Sequence, residues 1–215
     1  MAGKNKKPLG ELETRVYPVE LRAESDGEIG TISGTPIVYD SITDLGWFDE
    51  MIVSGALDMA DLSDVRLCLN HDTSFVYARS RRNNPRSTMR LNVQPHGLDI
   101  EADLAIGQSP KAADYYTAIE RRDITGMSFM FRIDAEEWEN LESDHPLRKI
   151  TRISSVVEVS AVTFPAYEAT SVDISTRSKE ALESARAAVE TARQQARRGD
   201  EGRELELLKL KLTLA

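Results

Sequence analysis

Three segments of this 215-residue chain carry a serine, a histidine and a glutamate in settings suited to acyl transfer. Ser128 lies in Gly126-Met-Ser-Phe-Met-Phe131. Read as a strand, this segment points Met127, Phe129 and Phe131 one way and Ser128, Met130 and Arg132 the other. A serine hydroxyl is a weak nucleophile until a base takes its proton, and a serine in a strand serves equally well as a structural group. The candidate base is His71, which ends the apolar run Val65-Arg-Leu-Cys-Leu69 through Asn70. Imidazole is the side chain suited to proton transfer near neutral pH, although a hydrogen bond to local backbone would also account for a histidine there.

A serine–histidine pair needs a third group to fix the ring and balance its charge. Asp72 is adjacent to His71 and is expected to point elsewhere. Glu158 fits better, because every other position of Val156-Val-Glu-Val-Ser-Ala-Val162 is apolar or small. A carboxylate buried there requires a hydrogen-bond or ionic partner. His71 can supply one. An ion pair to Arg148 or Arg152, or an outward-facing position, remains an alternative. Cys68 is a rival nucleophile, but its apolar neighbours, with only Arg66 as a nearby cation, predict an inert thiol. His96 and His145 fall in a turn and in the charged Glu142-Ser-Asp-His-Pro146 stretch, and read as solvated loop residues.

The elements that must position these residues are mainly strands. Gly30–Asp40, Val65–Leu69, Met127–Ile133, Lys149–Ile153 and Val156–Val162 read as strands, and Thr88–Val93 with Leu98–Leu104 as a hairpin around Gln94-Pro-His-Gly97. Ser109-Pro110 starts a helix running to about Arg122, with Ala112, Tyr115, Tyr116 and Ile119 as its apolar stripe. Gly55–Leu62 is a weaker helix candidate. Many strands and few helices predict a mainly β (α+β) fold, a barrel or sandwich decorated by helices. After Thr176 the composition shifts to Ala, Glu, Gln and Arg, which favours helix. Apolar positions 181, 185, 188 and 192 recur at helical spacing, and Gly199-Asp-Glu-Gly202 interrupts them. The leucines at 208, 210, 212 and 214 fit helix or strand. Residues 177–215 therefore read as an appendage that orders on a partner or docks on its own body.

Composition narrows the function classes. Hydrophobic residues make up 40%, enough for a packed core, and no run reaches the ~18 apolar residues of a spanning helix. Lys4, Lys6 and Lys7 lack the apolar segment of a secretory signal behind them. One cysteine excludes an internal disulfide and a cysteine zinc site, and the three histidines show no metal-ligand spacing. No cofactor or metal is expected. The net charge of -9 is uneven: the first seven residues and residues 177–215 are basic, leaving about -14 on the stretch between. Such a body repels phosphate backbones, so the core is not expected to bind nucleic acid. It suits a basic partner or a substrate segment carrying Lys or Arg, and serves equally well simply to keep the chain in solution.

Taken in order, Asn70-His71-Asp72, Ile124-Thr-Gly-Met-Ser-Phe-Met-Phe131 and Glu158-Val-Ser-Ala-Val-Thr-Phe-Pro-Ala166 resemble the prohead (capsid-maturation) proteases of tailed bacteriophages. The resemblance covers roughly residues 14–176. It implies a serine endopeptidase with a herpesvirus-protease-like seven-stranded barrel surrounded by helices; composition and charge set a flexible basic segment, 1–13, before it and the helical tail, 177–215, after it. It makes Ser128 the nucleophile and His71 the base, with Glu158 where herpesvirus relatives place a histidine. Oxyanion donors would be backbone amides, with Arg148 and Arg152 as possible helpers. Met130 and Tyr77-Ala-Arg79 replace residues that are often glycine in relatives, and Met130 lies on the Ser128 face. The implied partners are the major capsid protein with its scaffold segment and the chain itself, by self-cleavage or dimerisation, inside the immature capsid in the host cytoplasm. The implied role is to cut the scaffold or scaffold-like extension. A non-enzymatic scaffolding protein is the alternative, and an esterase is disfavoured because no Gly-x-Ser-x-Gly surrounds Ser128.

Overall fold

In a computed structural model, residues 12–163, 186–187, 189–199 and 203 are described. The strands are β1 (Leu12–Pro18), β2 (Arg22–Ser25), β3 (Gly30–Val38), β4 (Thr43–Asp44), β5 (Asp49–Ile52), β6 (Asp64–Leu69), β7 (Ala78–Arg81), β8 (Met89–Gln94), β9 (Gly97–Leu104), β10 (Gly126–Glu139) and β11 (Leu147–Val162). One helix, α1 (Pro110–Glu120), stands between β9 and β10. The fold is thus mainly β, as composition and patterning predict.

The expected seven-stranded closed barrel does not form among the described residues. Instead there are two sheets. The larger runs β1-β10-β11-β5-β4, with β6 on the far end of β11 and β7 on β6, and the smaller runs β2-β3-β9-β8. β1, β4 and β7 each pair with one neighbour only, so no ladder joins the ends of the larger sheet. The β10–β11 hairpin is its spine. Lys149–Ile153 and Val156–Val162 belong to one 16-residue strand rather than two. Register shifts against β10 between Met130 and Glu136 bend this hairpin without ending it. The bend lets β11 pair in parallel with β5 through residues 147–150 and with β6 through residues 158–161.

The core lies between the sheets and under α1. Phe129, Phe131, Leu67, Ile32, Ile37 and Leu98 are fully buried, and each such side chain stabilises the fold by about 1.5–3 kcal/mol through apolar burial. The Ser109 hydroxyl accepts the Ala112 amide as the N-cap of α1, Pro110 begins the helix, and the predicted stripe Ala112, Tyr115, Tyr116 and Ile119 is buried. Tyr115 stacks on Tyr77 at 4.1 Å and donates to the Cys68 carbonyl at 3.2 Å, so α1 braces the strand that leads to His71. Gly55–Leu62 forms successive turns instead of a helix. Gly55 has φ +84°, and Asp58 and Ala60 donate to the carbonyls three residues back, to Gly55 and Leu57.

The described part of the tail is helical and docks on its own body. Val189 is buried against Phe48 with Leu45 and Trp138 alongside, and Arg193 donates to the carbonyls of Leu141 (3.1 Å) and Ser143 (2.8 Å). Positions 181, 185 and 188, Gly202 and the leucines at 208–214 lie outside the described residues, as do Phe164, Pro165 and Ala166 of the third motif.

Candidate active site

Strand register brings three distant segments to one face. β10 pairs with β11 so that Ser128 stands opposite Ser160, and β11 pairs with β6 so that Ser160 stands beside Cys68. Glu158 lies two residues before Ser160 and shares its face, by the period of two along a strand. β6 ends at Leu69, and the next two residues, Asn70 and His71, take φ +51° and +60°. The Asp72 amide closes this turn on the Leu69 carbonyl at 2.9 Å. Asparagine tolerates the left-handed region, whereas histidine there costs about 1–2 kcal/mol that its surroundings must offset. The turn aims the imidazole back over the end of the sheet.

The result is a continuous chain of hydrogen bonds. Ser128 Oγ lies 2.6 Å from His71 Nε2, and His71 Nδ1 lies 2.7 Å from Glu158 Oε2. A carboxylate oxygen only accepts, so the ring proton belongs on Nδ1 and Nε2 is left to accept from the serine. All three groups are buried: Ser128 fully, Glu158 at 3% exposure and His71 at 8%. Low dielectric strengthens each contact and makes a missing partner costly. The arrangement can move a proton from a serine hydroxyl to an imidazole whose charge a carboxylate then balances.

Other candidate residues stand elsewhere. The Asp72 carboxylate accepts the Ser74 amide at 2.9 Å, while Glu158 is the carboxylate 2.7 Å from His71 Nδ1. Arg148 and Arg152, the alternative partners for Glu158, bond other acids. Arg152 donates to Asp134 at 2.5 Å, and Arg148 to Glu13 at 2.9 Å, to Glu50 at 3.2 Å and to Glu136. Cys68 is fully buried, and burial, with Glu158 nearby, pushes its thiol up to about 12, which agrees with an inert role. His96 sits in the β8–β9 turn, 3.0 Å from Asp99. His145 is exposed and reaches Asp49 at 3.1 Å and Asp44 at 3.5 Å, a cluster that three separate segments build and that sequence spacing could not reveal.

Two residues that sequence reasoning did not single out touch the site. Ser160 Oγ bonds Glu158 Oε1 and accepts the His71 amide at 3.0 Å. The available signal was its spacing of two from Glu158 in a strand. The Arg15 carbonyl on β1 lies 2.8 Å from Ser128 Oγ. Its guanidinium is buried in a network with Glu50, Glu13 and Arg148. Burial opposes its charge, but Glu50 and Glu13 outweigh that and hold it above the usual arginine value. Nothing local to Thr14-Arg-Val16 announces either contact.

Neither the curated proteins nor the solved structures include a significant match to the chain. A family model described as caudovirus prohead serine protease matches residues 17–185, a span that takes in β10, β11, the β6 turn and the whole hydrogen-bonded chain from Ser128 to Glu158. With well over half of its length matched, the chain belongs to the caudovirus prohead serine protease family.

Proposed function

We propose that the protein is a serine endopeptidase in which Ser128 is the nucleophile, His71 the general base and Glu158 the group that orients and balances the imidazole. The observation that carries this reading is the unbroken chain Ser128 Oγ–His71 Nε2 and His71 Nδ1–Glu158 Oε2, at 2.6 and 2.7 Å in a buried site. Ser128 Oγ attacks the carbonyl carbon of a peptide bond while its proton passes to His71 Nε2. The tetrahedral intermediate collapses as the imidazolium returns that proton to the leaving amine, which leaves an acyl-serine. Water then attacks the ester with His71 again as base, and Ser128 recovers its proton as the acid product departs. Glu158 stabilises the imidazolium throughout.

The same geometry describes a closed site. Ser128 has one proton, and two acceptors, His71 Nε2 and the Arg15 carbonyl, compete for it. The nucleophile is fully buried, so a substrate chain reaches it only after whatever covers it has moved. The substrates that fit the family are the scaffold or scaffold-like extension of the capsid protein and the protease itself, cut inside the immature capsid in the host cytoplasm. Residues 177–215 act in this reading as a tether to the capsid interior or as a self-cleaved segment. The strongly acidic body favours a basic residue near the scissile bond.

The test is co-expression with the capsid protein, wild type against Ser128→Ala, read by intact mass of both chains. Specific truncation that disappears in the variant supports the reading and gives the cut site. Truncation that survives the substitution removes Ser128 from the nucleophile's role, and full-length chains in assembled particles overturn the reading altogether.

A further inference from the structure

We propose that Ser160 is a positioning residue of the same site, a fourth member that fixes the base and the acid together; the proposal rests on the protease reading above. Ser160 is fully buried on β11, opposite Ser128 across the β10–β11 ladder and two residues beyond Glu158. Its hydroxyl is used at both ends. Glu158 Oε1 can only accept and the His71 amide can only donate, so Ser160 Oγ gives its proton to the carboxylate and takes the His71 N–H at 3.0 Å. Direction is therefore forced.

Each contact answers a need the other residues leave open. Glu158 spends Oε2 on the His71 ring, and Ser160 supplies a donor to Oε1 in a pocket where an unpaired carboxylate oxygen would be costly. His71 occupies a left-handed backbone position that an L side chain adopts only when its surroundings hold it. β11 and the residue after it tie this turn down: Asn70 donates its amide to the Ala161 carbonyl at 3.0 Å, the Thr163 amide and hydroxyl donate to the Asn70 side chain at 3.0 and 3.3 Å, and Ser160 accepts from His71 itself. Of these ties, only that of Ser160 reaches both His71 and Glu158. It couples the backbone that carries the base to the carboxylate that orients the ring. Ser160 touches no reacting atom; it sets where the imidazole stands when Ser128 gives up its proton.

The test compares wild type, Ser128→Ala, Ser160→Ala, Ser160→Gly and Ser160→Thr in full-length protein, by the rate of capsid-protein cleavage in co-assembled particles and by the low-field resonance of the His71 Nδ1 proton in histidine-labelled protein. Loss of the hydroxyl in Ser160→Ala is expected to slow cleavage on the order of 100-fold, the scale set by a misplaced catalytic group. It should also broaden or shift the resonance, and Ser160→Thr, which keeps the hydroxyl, should recover both. Ser160→Gly removes the hydroxyl without adding volume and should match Ser160→Ala. Wild-type cleavage and an unchanged resonance in Ser160→Ala overturn the positioning role while leaving the protease reading intact. Cleavage that persists in Ser128→Ala removes Ser128 as the nucleophile, absence of cleavage in wild-type particles overturns the protease reading, and in either case the resonance reports alone on whether Ser160 holds the His71–Glu158 pair.

Discussion

Cys68 shows how closely a nucleophilic atom can sit to this site without serving it. It stands beside Ser160 in the β6–β11 ladder, fully buried, and its thiol is pushed up to about 12 by burial and by the nearby Glu158 carboxylate. At pH 8 it stays protonated, and a thiolate reagent finds neither charge nor access. Iodoacetamide at pH 8 is expected to leave the folded chain unmodified over hours and to label it within minutes in denaturant, as read by intact mass. Rapid labelling of the folded form would mean that the β6 end opens freely. Sequence singled out Ser128 and Glu158 as a hydroxyl and a carboxylate within apolar strands and His71 as a ring just past the end of one, each with a structural alternative, and the resemblance of the three segments in order joined them. Ser160 and the Arg15 carbonyl could not be picked out. A small serine among small residues carries no such contrast, and a backbone carbonyl has no side chain to read.

At the level of elements, strong local signals were readable and long-range ones were not. The Ser109-Pro110 start predicts α1 because capping is decided within four residues. The β8–β9 hairpin is legible for the same reason, and Gly97 shows why that residue is required. A Cβ placed there would lie 1.9 Å from the Ile37 carbonyl oxygen of β3, with φ at +150°. Gly97→Ala is expected to destabilise the fold by about 3 kcal/mol by forcing β3 and β9 apart, measured as a lowered urea midpoint. A change below 0.5 kcal/mol would mean that the smaller sheet yields at that corner. Short elements such as β4 and β5 escaped notice, since two or four residues carry no periodicity: β5 takes its form from pairing with β11, and β4 from pairing with β5. Gly55–Leu62 misled for the opposite reason, its composition suiting a helix where the chain instead forms successive turns beginning at Gly55 with its positive φ.

Across the whole molecule, the acidic body hides an internal balance of charge. Glu13, Arg15, Glu50, Glu136 and Arg148 join β1, β5, β10 and β11 in one buried to half-buried network. Burial pushes the Glu13 carboxyl up, but Arg15 and Arg148 outweigh it and hold it below its ordinary value. A carboxyl depressed on folding stabilises the native state above its unfolded value of about 4.3, and that contribution is lost as pH falls through the lower folded value. The thermal midpoint should therefore drop as pH is taken below about 4. Arg148→Met, which leaves Glu13 and Glu50 facing fewer cations, should cost about 3–5 kcal/mol at pH 7 and flatten that acid dependence. An acid profile identical to wild type would remove the network from the stability of the fold. The expected barrel failed at this same scale, because closure depends on which distant edges meet and no local pattern in β1, β4 or β7 encodes that.

If the chemistry runs as proposed, the ladder between β6 and β11 also governs when it can begin. His71 is 57 residues before Ser128 and 87 before Glu158, and parallel pairing of the two strands waits for the later one. In the proposed mechanism, a chain still emerging from the ribosome carries His71 as base and then Ser128 as nucleophile before Glu158, the carboxylate that balances them, has been made. Under that proposal, fragments ending short of β11 lack Glu158 and are expected to be inactive, so premature termination yields debris rather than stray peptidase. Synthesis itself acts as the first safety catch.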